Sequence, residues 1–349
     1  ILAISGTEIA APNTTVTAQA AEANETEVFF TETSEPGSFR LFDGSLDAVE
    51  ITDSTVKLND GNFEKWIDRI NVPEEMYTFY ETLEEASDND GVDDFLIEDE
   101  FFTADDGSIE AITVIESNEI TSEKQNYIAE CILATFEAFL RDHPEVFWLS
   151  GSSSIGISTP NIADPYTYVY SLILYYGEST DTTFDGRAEE YPDETAIKQA
   201  ISDRDGRVNE IINNIPADAD IIDTITYFND TLTKTNQYNT SDDLSGIPRS
   251  CHKSISALMG RSGTNGPVCD GYSSAFKVLC DKAEIPCVLV DGTAASDGSG
   301  GGGHMWNYVS VYGNWYATDV TWNDPVPSSS SGDVVSGYEN HNYLLVGSD

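Results

Sequence analysis

The chain has 349 residues, 40% hydrophobic and 11% aromatic, which suffices for a buried core and excludes a wholly disordered protein. Its 62 Asp and Glu against 16 Lys and Arg give a formal net charge of -46. That sign argues against nucleic acid and against an anionic membrane surface, because phosphate binding requires cationic patches. It fits either steering of cationic substrates such as Lys-rich peptides or, more plainly, solubility in a salty or extracellular medium.

No run reaches the ~18 apolar residues of a membrane span. Ile1 to Ile4 is a short apolar stretch, and Ala18-Gln19-Ala20 has the A-x-A form of a signal-peptidase site. Residues 1–20 are therefore expected to be the remains of a secretory signal, which gives a secreted or cell-surface protein. Residues 21–215 form an acidic N-terminal region whose role the sequence does not state. Ser38 to Phe42 is a strand candidate, and Asn62 to Ser87 reads as helical, with Asn62 as a cap and a second start at Pro73-Glu74-Glu75. The run from Asp88 to Asp94 suggests calcium at first. With Gly91 at the glycine position of an EF-hand loop, however, Ala86 and Ile97 fall at the first and last ligand positions, so a solvated acidic turn fits better.

Ser122 to Arg141 predicts a helix, opened by the capping box Ser122-Glu123-Lys124-Gln125 and carrying Ile128, Ile132, Phe136 and Phe139 or Leu140 on one face. It should stop before Pro144, with His143 structural or at the surface. Tyr166 to Tyr176 reads as a strand and Asp193 to about Ile215 as a helix. Pro216 marks a boundary, so residues 216–349 are expected to form a separate domain. A helix from Asp220 to Lys234 opens it, with acidic residues in its first turn. The runs 296–303 and 328–332 are Gly/Ser-rich loops.

The chemistry concentrates beyond residue 266. Tyr272, Ala275 or Phe276 and Leu279 recur at helical spacing, so Cys269, just after Pro267-Val268, sits in the first turn of a helix. There the positive dipole end favours a thiolate, and unpaired N–H groups can donate to an oxyanion. Taken alone, Cys269 is more simply a buried structural residue. Downstream, His304 to Val311 and Trp315 to Trp322 read as two strands of a hairpin turning at Tyr312-Gly313-Asn314. With Tyr312 and Gly313 in the turn, Val311 faces Asn314, Trp306 faces Asp319, and His304 and Asp319 become diagonal neighbours on one face. A shift of the turn to Gly313-Asn314 leaves them a step further apart, and a one-residue slip puts them on opposite faces. The set supplies a nucleophile, Cys269, a base, His304, and an orienting carboxylate, Asp319. The chain holds only 4 His, which makes coincidence a poor explanation. The other cysteines are Cys131, Cys251, Cys280 and Cys287. No C-x-x-C occurs, and disulfide pairing among Cys251, Cys280 and Cys287 stays open.

Val268-Cys269-Asp270-Gly271-Tyr272, Ile285 to Gly292, His304-Met305-Trp306-Asn307 and Trp315-Tyr316 through Asp319-Val320-Thr321-Trp322 resemble, in order, the nucleophile, next-strand, His and Asp motifs of the transglutaminase-like superfamily, in its secreted bacterial form. The resemblance spans roughly residues 220–349. It implies an α+β, papain-like core, a Cys-bearing helix on an antiparallel sheet, after a mixed N-terminal region. It also implies acyl transfer from peptide or protein amides through a Cys thioester. Water as acceptor gives a protease or amidase, and a Lys amine gives Gln–Lys cross-linking; the lack of a calcium motif tilts the reading toward hydrolysis. Neither metal nor cofactor is required. Asp142 to Trp148 looks like a segment that precedes this module in some secreted bacterial members. The chain departs from the family at Tyr227-Phe228-Asn229-Asp230, where a His-Asp pair often stands. Gln237, in the segment matching the family's Tyr-bearing stretch, is a candidate second oxyanion donor. The Gly-rich run before His304 is either a lid or a surface loop. The alternative function is a catalytically inactive binding or scaffold protein at the cell surface.

Overall fold

Elements form where local chemistry and burial agree, and the computed structural model describes residues 75–88, 112–117, 122–149, 153–158, 168–174, 190–191, 194–241, 247–294, 302–325 and 339–347. The expectations for the secretory remnant, Ser38 to Phe42, the Asn62 cap, most of the Asp88 to Asp94 turn and most of the two Gly/Ser-rich runs lie outside these residues. The described chain is α+β and divides into two units. One comprises the described residues of 70–140 and 148–199, the other those of 141–147 and 200–349.

The first unit contains α1 (Glu75–Asp88), β1 (Ile112–Ser117), most of α2 (Ser122–Asp142), β2 (Ser153–Ser158) and β3 (Tyr168–Leu174). Met76, Phe79 and Leu83 recur at helical spacing and are buried, as are Ile132, Phe136 and Phe139. Tyr80 meets Phe139 edge-on at 6.2 Å. The strands pair antiparallel in the order β1-β3-β2.

The second unit holds most of α3 (Glu194–Asn213), α4 (Ile221–Thr235), the short α5 (Ser254–Leu258), α6 (Cys269–Lys282), and β4 (Cys287–Ala294), β5 (Gly302–Val311) and β6 (Asn314–Thr318). It begins upstream of Pro216, because Val208 and Ile211 of α3 join the same core as Ile225, Phe228 and Leu232 of α4 and Tyr272, Phe276 and Leu279 of α6. Each fully buried Phe or Leu of this set contributes roughly 1.5–3 kcal/mol. Asp220 caps α4: its Oδ1 accepts from the N–H groups of Ile222 and Asp223, each at 2.9 Å, and Asp223 answers in a capping box.

The three strands pair antiparallel in the order β4-β5-β6, with α6 packed on β4 and β5. Val311 pairs with Asn314, because Tyr312 and Gly313 adopt φ of 52° and 82°, the left-handed pair that a two-residue hairpin requires. The second strand is shorter than its sequence suggests. It ends at Thr318, and residues 319–324 turn, because Asp319 Oδ1 accepts the Trp322 N–H at 3.0 Å and competes with continued pairing. Polar clamps join helix to sheet. Asn307 Nδ2 donates to the Ser273 carbonyl at 3.0 Å, and the wholly buried Lys277 donates to the Cys287 carbonyl at 3.0 Å and to Asp281 at 3.0 Å. The segment 141–147 is bound into this unit by an Arg141–Asp291 ion pair and a bond from Ser254 Oγ to the Pro144 carbonyl at 2.6 Å; His143 is buried there beside Glu145. All five cysteines are buried, and none forms a disulfide.

Candidate active site

Cys269 is the first residue of α6. Val268 before it is extended, at φ -104° and ψ -176°, and offers no side-chain cap, while Asp270 Oδ1 takes the Gly271 N–H of the first turn at 3.1 Å. The tip is held close to its neighbours. The Val268 N–H donates to the Cys251 carbonyl at 3.1 Å, and a Cβ on Gly271 would lie 2.4 Å from that same carbonyl oxygen. Only glycine allows this approach, which explains the Cys-Asp-Gly order.

His304 stands near the start of β5 and donates from Nε2 to Asp319 Oδ2 at 2.6 Å. This leaves Nδ1 free of Asp319, and Cys269 is near enough to the imidazole to favour its protonated form. The structure places His304 against Asp319, with Cys269 beside the ring. The His–Asp contact is made across the turn that follows β6, and the strand pairing stops at Thr318 opposite Asn307. Asp319 is 1% exposed and uses both oxygens, Oδ2 for the imidazole and Oδ1 for the Trp322 N–H. Its own N–H donates to the Tyr343 carbonyl at 2.8 Å, so the tail segment fixes its backbone. Trp306 and Trp322 flank the imidazole at 6.1 and 5.5 Å.

Burial disfavours charge on His304, but the Asp319 carboxylate, helped by Cys269, outweighs it and lifts the imidazole from 6.5 to about 10.

Further groups that the sequence reading does not assign surround the triad. The Tyr238 ring stacks on Tyr272 with centroids 6.5 Å apart, and burial, with Cys269 and Asp270 near it, raises its hydroxyl above the ordinary value. His252 Nδ1 bonds Asp270 at 2.8 Å, and Asp270 raises its proton affinity against the opposing effect of burial. Tyr272 donates its hydroxyl to Asp324, and burial pushes the Asp324 carboxyl up to about 7. The one available signal for His252 was the rarity of histidine. Tyr238 and Asp324 carried no spacing that separates them from ordinary core residues. Gln237 is buried, and neither of its side-chain amide atoms has a partner within the described residues. Asn229 and Asp230 are engaged in bonds within the fold: Asn323 donates to Asn229 Oδ1 at 2.8 Å, and Lys234 donates to Asp230 at 2.6 Å.

No group of three or more His, Cys, Asp or Glu among the described residues is arranged to hold a metal ion. No described helix is long and apolar enough to cross a membrane. No protein-family model and no curated protein matches the chain.

Proposed function

We propose that the chain is a secreted cysteine acyl-transfer enzyme of the transglutaminase-like, papain-like type, which opens peptide or protein amides through a Cys269 thioester, with hydrolysis favoured over Gln–Lys cross-linking. The observation that carries this reading is the 2.6 Å contact of the His304 imidazole with Asp319, with Cys269 beside the ring at the start of α6.

Cys269 passes its thiol proton to Nδ1 of His304, and Asp319 steadies the resulting imidazolium. The sulfur forms a bond to the amide carbonyl carbon while the π pair moves to oxygen, toward the Cys269 N–H. Collapse expels the amine, which takes the imidazolium proton, and a thioester remains. Water then gives a proton to His304 and adds to the thioester; release of the acid returns the proton to sulfur. A Lys amine in place of water gives an isopeptide bond by the same steps. The acidic chain suits cationic peptides as substrates.

The test is incubation with mixed peptides, with and without a primary amine, read by mass spectrometry. New termini identify hydrolysis, and amine adducts on Gln identify transamidation. A folded sample that gives neither product, with Cys269 alkylated by iodoacetamide no faster than free cysteine, would point to the inactive scaffold instead.

A further inference from the structure

An acid follows Cys269 directly in the first turn of α6. A lone carboxylate at Asp270 would oppose a thiolate on the preceding residue, because like charges this close disfavour one another. Asp270 is not alone. His252 Nδ1 donates to its Oδ2 at 2.8 Å and reaches Oδ1 at 3.1 Å, while Oδ1 also accepts the Gly271 N–H at 3.1 Å. The two side chains are 11% and 8% exposed, so solvent screens the pair little. His252 closes the short 3-10 turn Arg249–His252, and Cys251 of that turn holds the nucleophile from the other side. The Cys251 carbonyl accepts the Val268 N–H at 3.1 Å and the Ser256 hydroxyl at 3.2 Å. Residues 251 and 252 thus grip the chain on both sides of Cys269, one through the backbone and one through an ion pair. The charged groups around His252 are Asp270 from α6, and Arg249 and Lys253 beside it in the chain. Arg261 bonds Ser250 of the same turn at 3.4 Å, and α5, which also packs there, carries no ionisable side chain. Burial and the cations work against a charge on the ring, but Asp270 outweighs them and lifts His252 above its ordinary 6.5.

We propose that His252 is a positioning residue of the acyl-transfer site, which through Asp270 fixes the nucleophile turn and cancels the carboxylate charge adjoining Cys269. The imidazolium–carboxylate pair has no net charge. A thiolate forming on Cys269 therefore meets the positive end of α6 and the His304 imidazole without an opposing acid at its side. His252 takes no proton from Cys269 and acts only through Asp270.

The inference rests on the acyl-transfer reading, in which Cys269 is the nucleophile. It is tested by the pH profile of Cys269 alkylation by iodoacetamide, which reports the thiolate and needs no acyl transfer. His252→Gln keeps a donor for Asp270 and loses the charge. Its profile is expected to move up by roughly one pH unit, about 10-fold slower than wild type at pH 6, and to meet wild type at alkaline pH. Adding Asp270→Asn removes the charge that the ring had cancelled, and is expected to bring the profile back to within about threefold of wild type. A rate lowered equally at every pH, an unshifted profile, or a shift that Asp270→Asn does not reverse would overturn the assignment. Should His252→Gln not fold, the titration of His252 followed by NMR decides. Its midpoint is expected to fall by roughly one unit from wild type to Asp270→Asn, and equal midpoints would overturn the pair. Wild-type Cys269 alkylated no faster than free cysteine would defeat the acyl-transfer reading itself, whereas fast wild-type alkylation with an unshifted His252→Gln profile defeats this assignment alone.

Discussion

Asp319→Asn isolates the electrostatic core of the site. The amide keeps an oxygen for the Trp322 N–H, which Asp319 Oδ1 now accepts at 3.0 Å, so the turn should survive. It removes the charge and points an N–H at Nε2, where the carboxylate lies at 2.6 Å. The imidazole then carries its proton on Nδ1, the nitrogen that must receive the thiol proton. Lifting the ring from 6.5 to about 10 corresponds to roughly 5 kcal/mol in favour of the imidazolium, at about 1.4 kcal/mol per pH unit. Asp319 is the largest favourable contributor, against burial. If relaxation of the cleft returns half of it, about 2.5 kcal/mol remains, close to a 10²-fold loss of thiolate–imidazolium pairs near neutrality. The assay is the rate of Cys269 alkylation by iodoacetamide from pH 5 to 9, read on the isolated Cys269 peptide. Wild type should react well below neutrality, whereas Asp319→Asn should be about 10²-fold slower at pH 6 and converge with it at alkaline pH. Superimposable profiles would refute the idea that Asp319 charges His304.

Three other perturbations bear on the frame around the site. Gly271→Ala places a Cβ 2.4 Å from the Cys251 carbonyl oxygen and 2.8 Å from Ser256 Oγ, and should cost about 1–3 kcal/mol in denaturant melts while displacing the nucleophile. Lys277→Met leaves the buried Asp281 carboxylate and the Cys287 carbonyl without their cation; about 3–5 kcal/mol should be lost, and adding Asp281→Leu should restore part of it. Asp324, raised by burial to about 7, binds a proton in the folded chain between about pH 4 and 7 that the unfolded chain releases, so its contribution to stability falls as pH rises through that window. Asp324→Asn keeps an acceptor for Tyr272. Between pH 5 and 8 it should lose roughly 2–3 kcal/mol less stability than wild type in paired denaturant melts.

The helix at Cys269 and the register of the hairpin were legible because both rest on local rules: apolar spacing over Tyr272, Phe276 and Leu279, and a turn whose Tyr312-Gly313 pair tolerates positive φ. The end of β6 was not legible. An alternating apolar pattern continues past Thr318, and only the folded position of Asp319, pinned by the Tyr343 carbonyl, lets its side chain capture the Trp322 N–H. Tyr238 and His252 escaped for a similar reason. Each reaches the Cys269 turn through contacts with residues 18 or more positions away, and such contacts leave no period in the sequence.

The mutual alignment of nucleophile and base follows from one strand. Asn307 lies three residues after His304 on β5 and sends its amide to the carbonyl of Ser273, one turn into α6 from Cys269. The same residue pairs with Thr318, the neighbour of Asp319, on β6. A single buried side chain therefore ties the helix that bears sulfur to the strand that bears the imidazole, beside the residue that bears the carboxylate. Sliding α6 along the sheet would break this bond, the Lys277–Cys287 bond and the Tyr272–Asp324 bond together. The geometry is thus set before substrate arrives, and little reorganisation is left for the moment of reaction.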